Sequence, residues 1–152
     1  DVRAPGDGPS SGVAEITASR DGRSIGVAWT GGDVAVLDAD TLEARWRFEV
    51  DDGRLIGCVF APDGRTLYTL TECIVRAWDL STGLEVAQVR LPGRVGSHFR
   101  GGRIRVSPAG RHLLIGRCKG QRDGRDAWLL VDLVTGALVD TSQDDGWRAA
   151  KR

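Results

Sequence analysis

The amino-acid sequence predicts an all-β fold, a β-propeller segment of about three four-stranded antiparallel blades, and three observations carry that expectation. The chain spells nearly one phrase three times, at Asp21-Gly22-Arg23, Asp63-Gly64-Arg65 and Ala109-Gly110-Arg111, each a turn followed by an apolar run, an aspartate and a second turn. A repeat of roughly 40–45 residues rich in short strands is the signature of a propeller blade. Between the turns, apolar and polar residues alternate. Ala44, Trp46 and Phe48 stand against Arg45, Arg47 and Glu49, the period of a strand with one buried and one wet face.

Residues 1–12 combine Pro, Gly and Ser with no apolar period and read as a flexible linker or tail. The first blade takes 13–54, with strands at 13–18, 24–29, 33–38 and 43–50 separated by turns bearing Gly, Asp and Thr. The second takes 55–102, with strands at 55–61, 66–71, 73–79 and 84–91. Its innermost strand, Ile56-Gly57-Cys58-Val59-Phe60-Ala61, is a continuous apolar run, as burial on both faces requires. The third takes 103–142, with strands at 103–107, 112–117, 126–133 and 137–141 and an enlarged connection between the middle two. Residues 143–152, which carry Trp147, form a tail or the start of a further unit.

Phe60-Ala61-Pro62-Asp63-Gly64-Arg65-Thr66-Leu67, followed by Ile74-Val75-Arg76-Ala77-Trp78-Asp79-Leu80-Ser81-Thr82-Gly83, resembles a WD repeat, with its Trp-Asp pair and the turn after it. The flanking copies are eroded: Leu37-Asp38 and Val131-Asp132 keep the aspartate and lose the tryptophan. WD repeats commonly carry a Gly-His pair and a turn aspartate that complete a buried hydrogen-bond network with the Trp. This chain has no Gly-His pair, and the turn position holds Glu72 in the second repeat and Gly31 in the first. The resemblance therefore implies a divergent, bacterial-style array held mainly by apolar packing between blades.

Composition excludes several functions. The net charge is zero and no apolar run is long enough to span a membrane, so neither nucleic acid nor lipid is demanded globally. Three cysteines, Cys58, Cys73 and Cys118, fall in or beside strands without disulfide-like spacing, which reads as buried thiols in a reducing, cytoplasmic compartment. The two histidines, His98 and His112, lack a positioned nucleophile or a metal-ligand spacing. Asp38, Asp79 and Asp132 recur at the ends of third strands, where an aspartate caps a turn. The sequence thus predicts no catalytic residue, no cofactor and no metal. Trp29, Trp46, Trp78 and Trp128 sit in strands and read as filling between blades.

In an antiparallel meander the first and third turns share one end. Both long connections, 92–102 and 119–125, fall at the opposite end, and between Arg90 and Arg125 ten basic residues face Asp123 alone, a local charge of about +9 in a neutral chain. Arg94, Arg100, Arg117, Lys119, Arg122 and Arg125 supply charge, and His98 and Phe99 supply planar contact, for an anion-facing patch. An acidic or phosphorylated protein is the expected partner, with nucleic acid less favoured and no membrane.

These readings point to a non-catalytic protein-interaction scaffold. The alternative is part of a ligand-binding or enzymatic propeller, quinoprotein-like or similar, with its site in the central channel. Propellers close with about four to eight blades. Three blades therefore need either further blades or self-association, and Asp1 in place of an initiator Met, with no methionine anywhere, favours a piece of a longer chain.

Overall fold

The structure, a computed structural model, describes residues 12–91, 104–116 and 128–140. Twelve strands follow in chain order: β1 (Val13–Ala18), β2 (Ser24–Trp29), β3 (Asp33–Asp38), β4 (Ala44–Glu49), β5 (Leu55–Phe60), β6 (Thr66–Thr71), β7 (Ile74–Asp79), β8 (Leu84–Arg90), β9 (Ile104–Val106), β10 (His112–Gly116), β11 (Trp128–Asp132) and β12 (Leu138–Asp140). They form three four-stranded antiparallel meanders, β1 to β4, β5 to β8 and β9 to β12, each paired in sequence order. The first strands β1, β5 and β9 lie side by side, with β5 between the other two. The chain is an all-β propeller segment of three blades. Among the described residues no helix is long and apolar enough to cross a membrane.

Local chemistry sets these elements. In the first turn of each blade a residue's backbone N–H and C=O are both used across the loop. Ser19 N–H reaches Ser24 O at 2.9 Å while Gly22 N–H reaches Ser19 O at 3.0 Å, and the same pair recurs at Ala61, Thr66 and Gly64 and at Ser107, His112 and Gly110. In the third turn Asp38 Oδ1 accepts the amides of Asp40 (2.9 Å) and Thr41 (3.1 Å), and Asp132 Oδ1 accepts those of Val134 (2.9 Å) and Thr135 (3.2 Å). Asp79 Oδ1 accepts both the amide (2.8 Å) and the hydroxyl (2.7 Å) of Ser81. A short polar side chain that bonds the backbone two residues on is what such turns select.

The two turns are also laced together at one end of each sheet. Arg23 O accepts Ala39 N–H, Arg65 O accepts Leu80 N–H and Arg111 O accepts Leu133 N–H, at 2.9, 2.8 and 2.8 Å. Leu133 N–H thus still meets its register partner Arg111, one step beyond the His112–Asp132 pair, and β11 ends at Asp132 because the turn capped by its carboxylate begins there. Likewise Cys73 lies outside β7, because Thr71 Oγ1 accepts the Ile74 amide at 3.2 Å and closes a tight loop around it.

Alternation sends each sheet's two faces to different neighbours. Ala28, Val34, Val36 and Phe48 of the first sheet meet Leu55, Cys58, Phe60, Leu67 and Trp78 of the second, with Trp46 and Leu80 packed alongside. Phe48 and Trp78 stack across this junction with centroids 4.6 Å apart. The second sheet's other face, with Ile56, Leu70 and Val75, meets Ile104, Leu113, Ile115, Leu129 and Val131 of the third. Apolar packing thus joins the blades. Trp78 adds a buried hydrogen bond, its indole N–H donating to Thr69 Oγ1 at 3.0 Å. Trp29 departs from the expectation set by its sequence pattern. It is partly exposed and joins neither core, because β2 turns Ala28 toward the second sheet and Trp29 away from it.

Candidate functional site

All eight residues expected to form the anion-facing patch, Arg94, His98, Phe99, Arg100, Arg117, Lys119, Arg122 and Arg125, lie outside the described residues. The residues bordering them are described. Arg90 at the end of β8 pairs with Ile74, Leu91 N–H donates to Cys73 O at 2.7 Å, Ile104 at the start of β9 pairs with Ile115, and Gly116 pairs with Trp128. These borders share one end of the second and third sheets, opposite the aspartate turns. Two other basic residues of the 90–125 stretch are engaged, Arg111 of them at the aspartate-turn end. The Arg111 guanidinium holds Asp132 Oδ2 at 3.1 Å, and Arg105 Nη1 donates to Ile104 O at 2.9 Å.

The turn carboxylates are committed to structure. Hydrogen bonds, first from the Ser19 hydroxyl to Asp21, the Thr41 amide to Asp38, the Ser81 hydroxyl to Asp79 and the Val134 amide to Asp132, hold all four carboxyls below the usual aspartate value. His112 is part-exposed, with Nε2 4.0 Å from Asp132 Oδ2, and its amide donates to Ser107 Oγ. Burial, with a smaller push from the Glu15 carboxylate, raises the Cys58 thiol to about 12, so it is neither nucleophile nor ligand near neutrality. Among the described residues no group of three or more His, Cys, Asp or Glu stands together as a metal site.

A second feature had no part in the sequence expectations. Arg76 on β7 points toward the first sheet, where it holds Asp52 of the interblade link at 3.0 Å and Glu85 of β8 at 2.7 Å. On the opposite face of the same strands a groove of about 210 Å³ opens, lined by Thr66, Tyr68, Val75, Ala77, Ala87 and Leu133 among others. Its floor is apolar, with Tyr68 half-buried there and its hydroxyl pushed up by burial. The signal that finds it is an alignment of the outer strands: Ala44-Arg45-Trp46-Arg47-Phe48 in the first repeat answers Glu85-Val86-Ala87-Gln88-Val89 in the second, so a ring gives way to a methyl.

No family model and no curated protein sequence matches the chain. In structure it is similar to many solved chains, among them Kuenenia stuttgartiensis hydrazine synthase, a propeller-containing protein, with a TM-score of 0.66 and 18% identity over 82% of this chain. The chain spans 35% of that protein's length. By its name that neighbour is an enzyme, so the likeness lends no support to the expectation that this chain is non-catalytic. At such identity the likeness establishes architecture alone, and the architecture is a β-propeller segment.

Proposed function

We propose that the chain is a WD-like propeller module that binds a protein partner through the end of its blades where the two long basic connections emerge. The observation that carries the reading is the common placement of the borders: Arg90, Ile104, Gly116 and Trp128 stand at one end of two adjacent sheets, while the opposite end is tied up in capped turns. The Trp78–Thr69 bond and the Asp79 turn support the WD-like assignment, since they put a buried tryptophan and a capping aspartate side by side as such repeats do. Loops on a rigid scaffold are where binding concentrates, and the basic residues in and beside the two connections, Arg94, Arg100, Arg117, Lys119, Arg122 and Arg125, select an acidic or phosphorylated ligand.

The module is completed by further blades or by a second copy. The face of the first sheet turned away from the second carries Ile16, 62% exposed, and Val13, 55% exposed, beside partly exposed Ile25, Trp29 and Leu37. Soluble proteins seldom leave such a patch bare. Sedimentation of the chain separates the two: self-closure gives a stable oligomer, whereas a need for further blades leaves a monomer that associates through this face nonspecifically.

The binding reading is tested by fluorescence polarisation with acidic and phosphorylated peptides, using Arg100→Glu and Arg122→Glu together. Binding that drops at least tenfold in the variant supports it. Binding of duplex DNA with a steep salt slope, and none of peptide, sinks it. The second reading is part of an enzymatic or ligand-binding propeller with its site on the axis, an architecture that the likeness to hydrazine synthase accommodates without selecting. A small ligand or redox cofactor bound by the completed ring would support that alternative.

A further inference from the structure

Trp46 stands opposite Val36, and Ala87 stands opposite Ala77, each one step before the same one-residue register shift. The two positions are therefore equivalent, one blade apart. At the first junction the Trp46 ring crosses to the second sheet and rests on Gly83, beside the core that contains Phe48 and Trp78. At the second junction the equivalent side chain is a methyl. Gly136, the counterpart of Gly83, has no described atom within 4 Å of where a Cβ would stand, and the groove of about 210 Å³ lies between Ala87 and Leu133.

We propose that this groove is a docking site for an aromatic side chain, an indole by preference, presented by an extended peptide segment of a partner protein. The molecule itself shows what fits: one blade earlier, the same position against the same kind of turn is filled by tryptophan. The groove is also continuous with an interface already built, because Tyr68, Val75, Val89 and Leu133 belong both to its lining and to the packed region between the second and third sheets. A ring inserted there extends that packing. The peptide carrying it has a backbone partner as well. Among the described residues β8 is the last strand of its sheet, and no described strand pairs with its outer edge, which suits strand addition. Leu84 and Val86 on that edge are exposed apolar residues, at 65% and 59%, and Thr66 and Gln88 give the groove a polar rim. The site is distinct from the basic connections, and neither proposal depends on the other.

The test is a titration of isotope-labelled chain with N-acetyltryptophanamide, followed by amide and methyl NMR shifts. The site predicts shifts concentrated at Tyr68, Val75, Ala87, Val89 and Leu133, and a weaker response to N-acetylleucinamide. Ala87→Trp, which restores the ring of the first junction, should weaken binding at least tenfold and raise the unfolding temperature. Ala87→Leu should fall between wild type and Ala87→Trp, and decides the matter if the larger variant does not fold. Charge reversal at Arg100 and Arg122 should leave this binding unchanged. Shifts scattered away from the groove, or undiminished binding in a folded Ala87 variant, overturn the proposal.

Discussion

The indole of Trp46 in the first sheet lies on Gly83 of the second, so closely that a β-carbon at residue 83 would stand 2.4 Å from the ring. Gly83 also has φ of 73°, and Gly136, its counterpart, has φ of 71° with no described neighbour at that spot. The two glycines therefore separate backbone strain from packing. Gly136→Ala should cost only the left-handed backbone, about 1–2 kcal/mol. Gly83→Ala should cost that plus overpacking, about 3 kcal/mol altogether. In a Trp46→Ala background the excess at Gly83 should disappear, a coupling readable by urea unfolding.

Leu42 occupies the same turn position in the first blade and adopts φ of 60° without being glycine. It is 59% exposed, so its side chain contributes little packing in return. Leu42→Gly should raise stability by roughly 0.5–1 kcal/mol, the relief of left-handed strain less the greater freedom of glycine in the unfolded chain. A lower thermal midpoint would contradict this account of the turn.

The Trp78 indole and the Thr69 hydroxyl satisfy each other in a buried setting. Thr69→Val strands the N–H and should cost about 1–3 kcal/mol. Trp78→Phe strands the hydroxyl and loosens the stack on Phe48. The double variant should cost less than the two single losses combined, because no buried polar group is then left alone. Strict additivity in denaturant unfolding would mean the bond contributes nothing.

Asp21, Asp38, Asp79 and Asp132 all have folded-state pKa values below the ordinary 3.8. A depressed folded pKa adds stability that is fully present above the unfolded value and is lost as pH falls through the folded values. Unfolding free energy should therefore be level near neutrality and decline from just above pH 4 downward. Asp79→Asn and Asp132→Asn should each flatten that decline, measured by urea titration at successive pH values.

The strand pattern was legible because the turns are written in residues with a mechanical reason to be there. Asp63-Gly64 and Asp79 with Ser81 close loops by bonding their own backbone, so 66–71 could be placed to the residue. The errors fall where a capped turn takes over from the strand, as after Asp132, or where a side chain closes a loop, as Thr71 does around Cys73. The groove was not legible from periodicity. Ala87 is unremarkable within its own strand and becomes informative only when its register partner shows that it stands where Trp46 stood. Trp29 misled for a related reason: alternation says that a side chain has a face, but not whether another sheet covers it.

Among the described residues each sheet pairs only strands that follow one another in the chain, and no strand crosses into another sheet. Between sheets the described contacts are chiefly shape and apolar surface, with the Arg76–Asp52 ion pair beside the first junction. Such a chain can gain or lose a unit by duplication without any rewiring of the backbone, provided the new face matches the old one. It also divides mechanically along its junctions, so that damage to the contact between the second and third sheets should release the third while the first pair stays folded. Heredity and failure would follow the same seams.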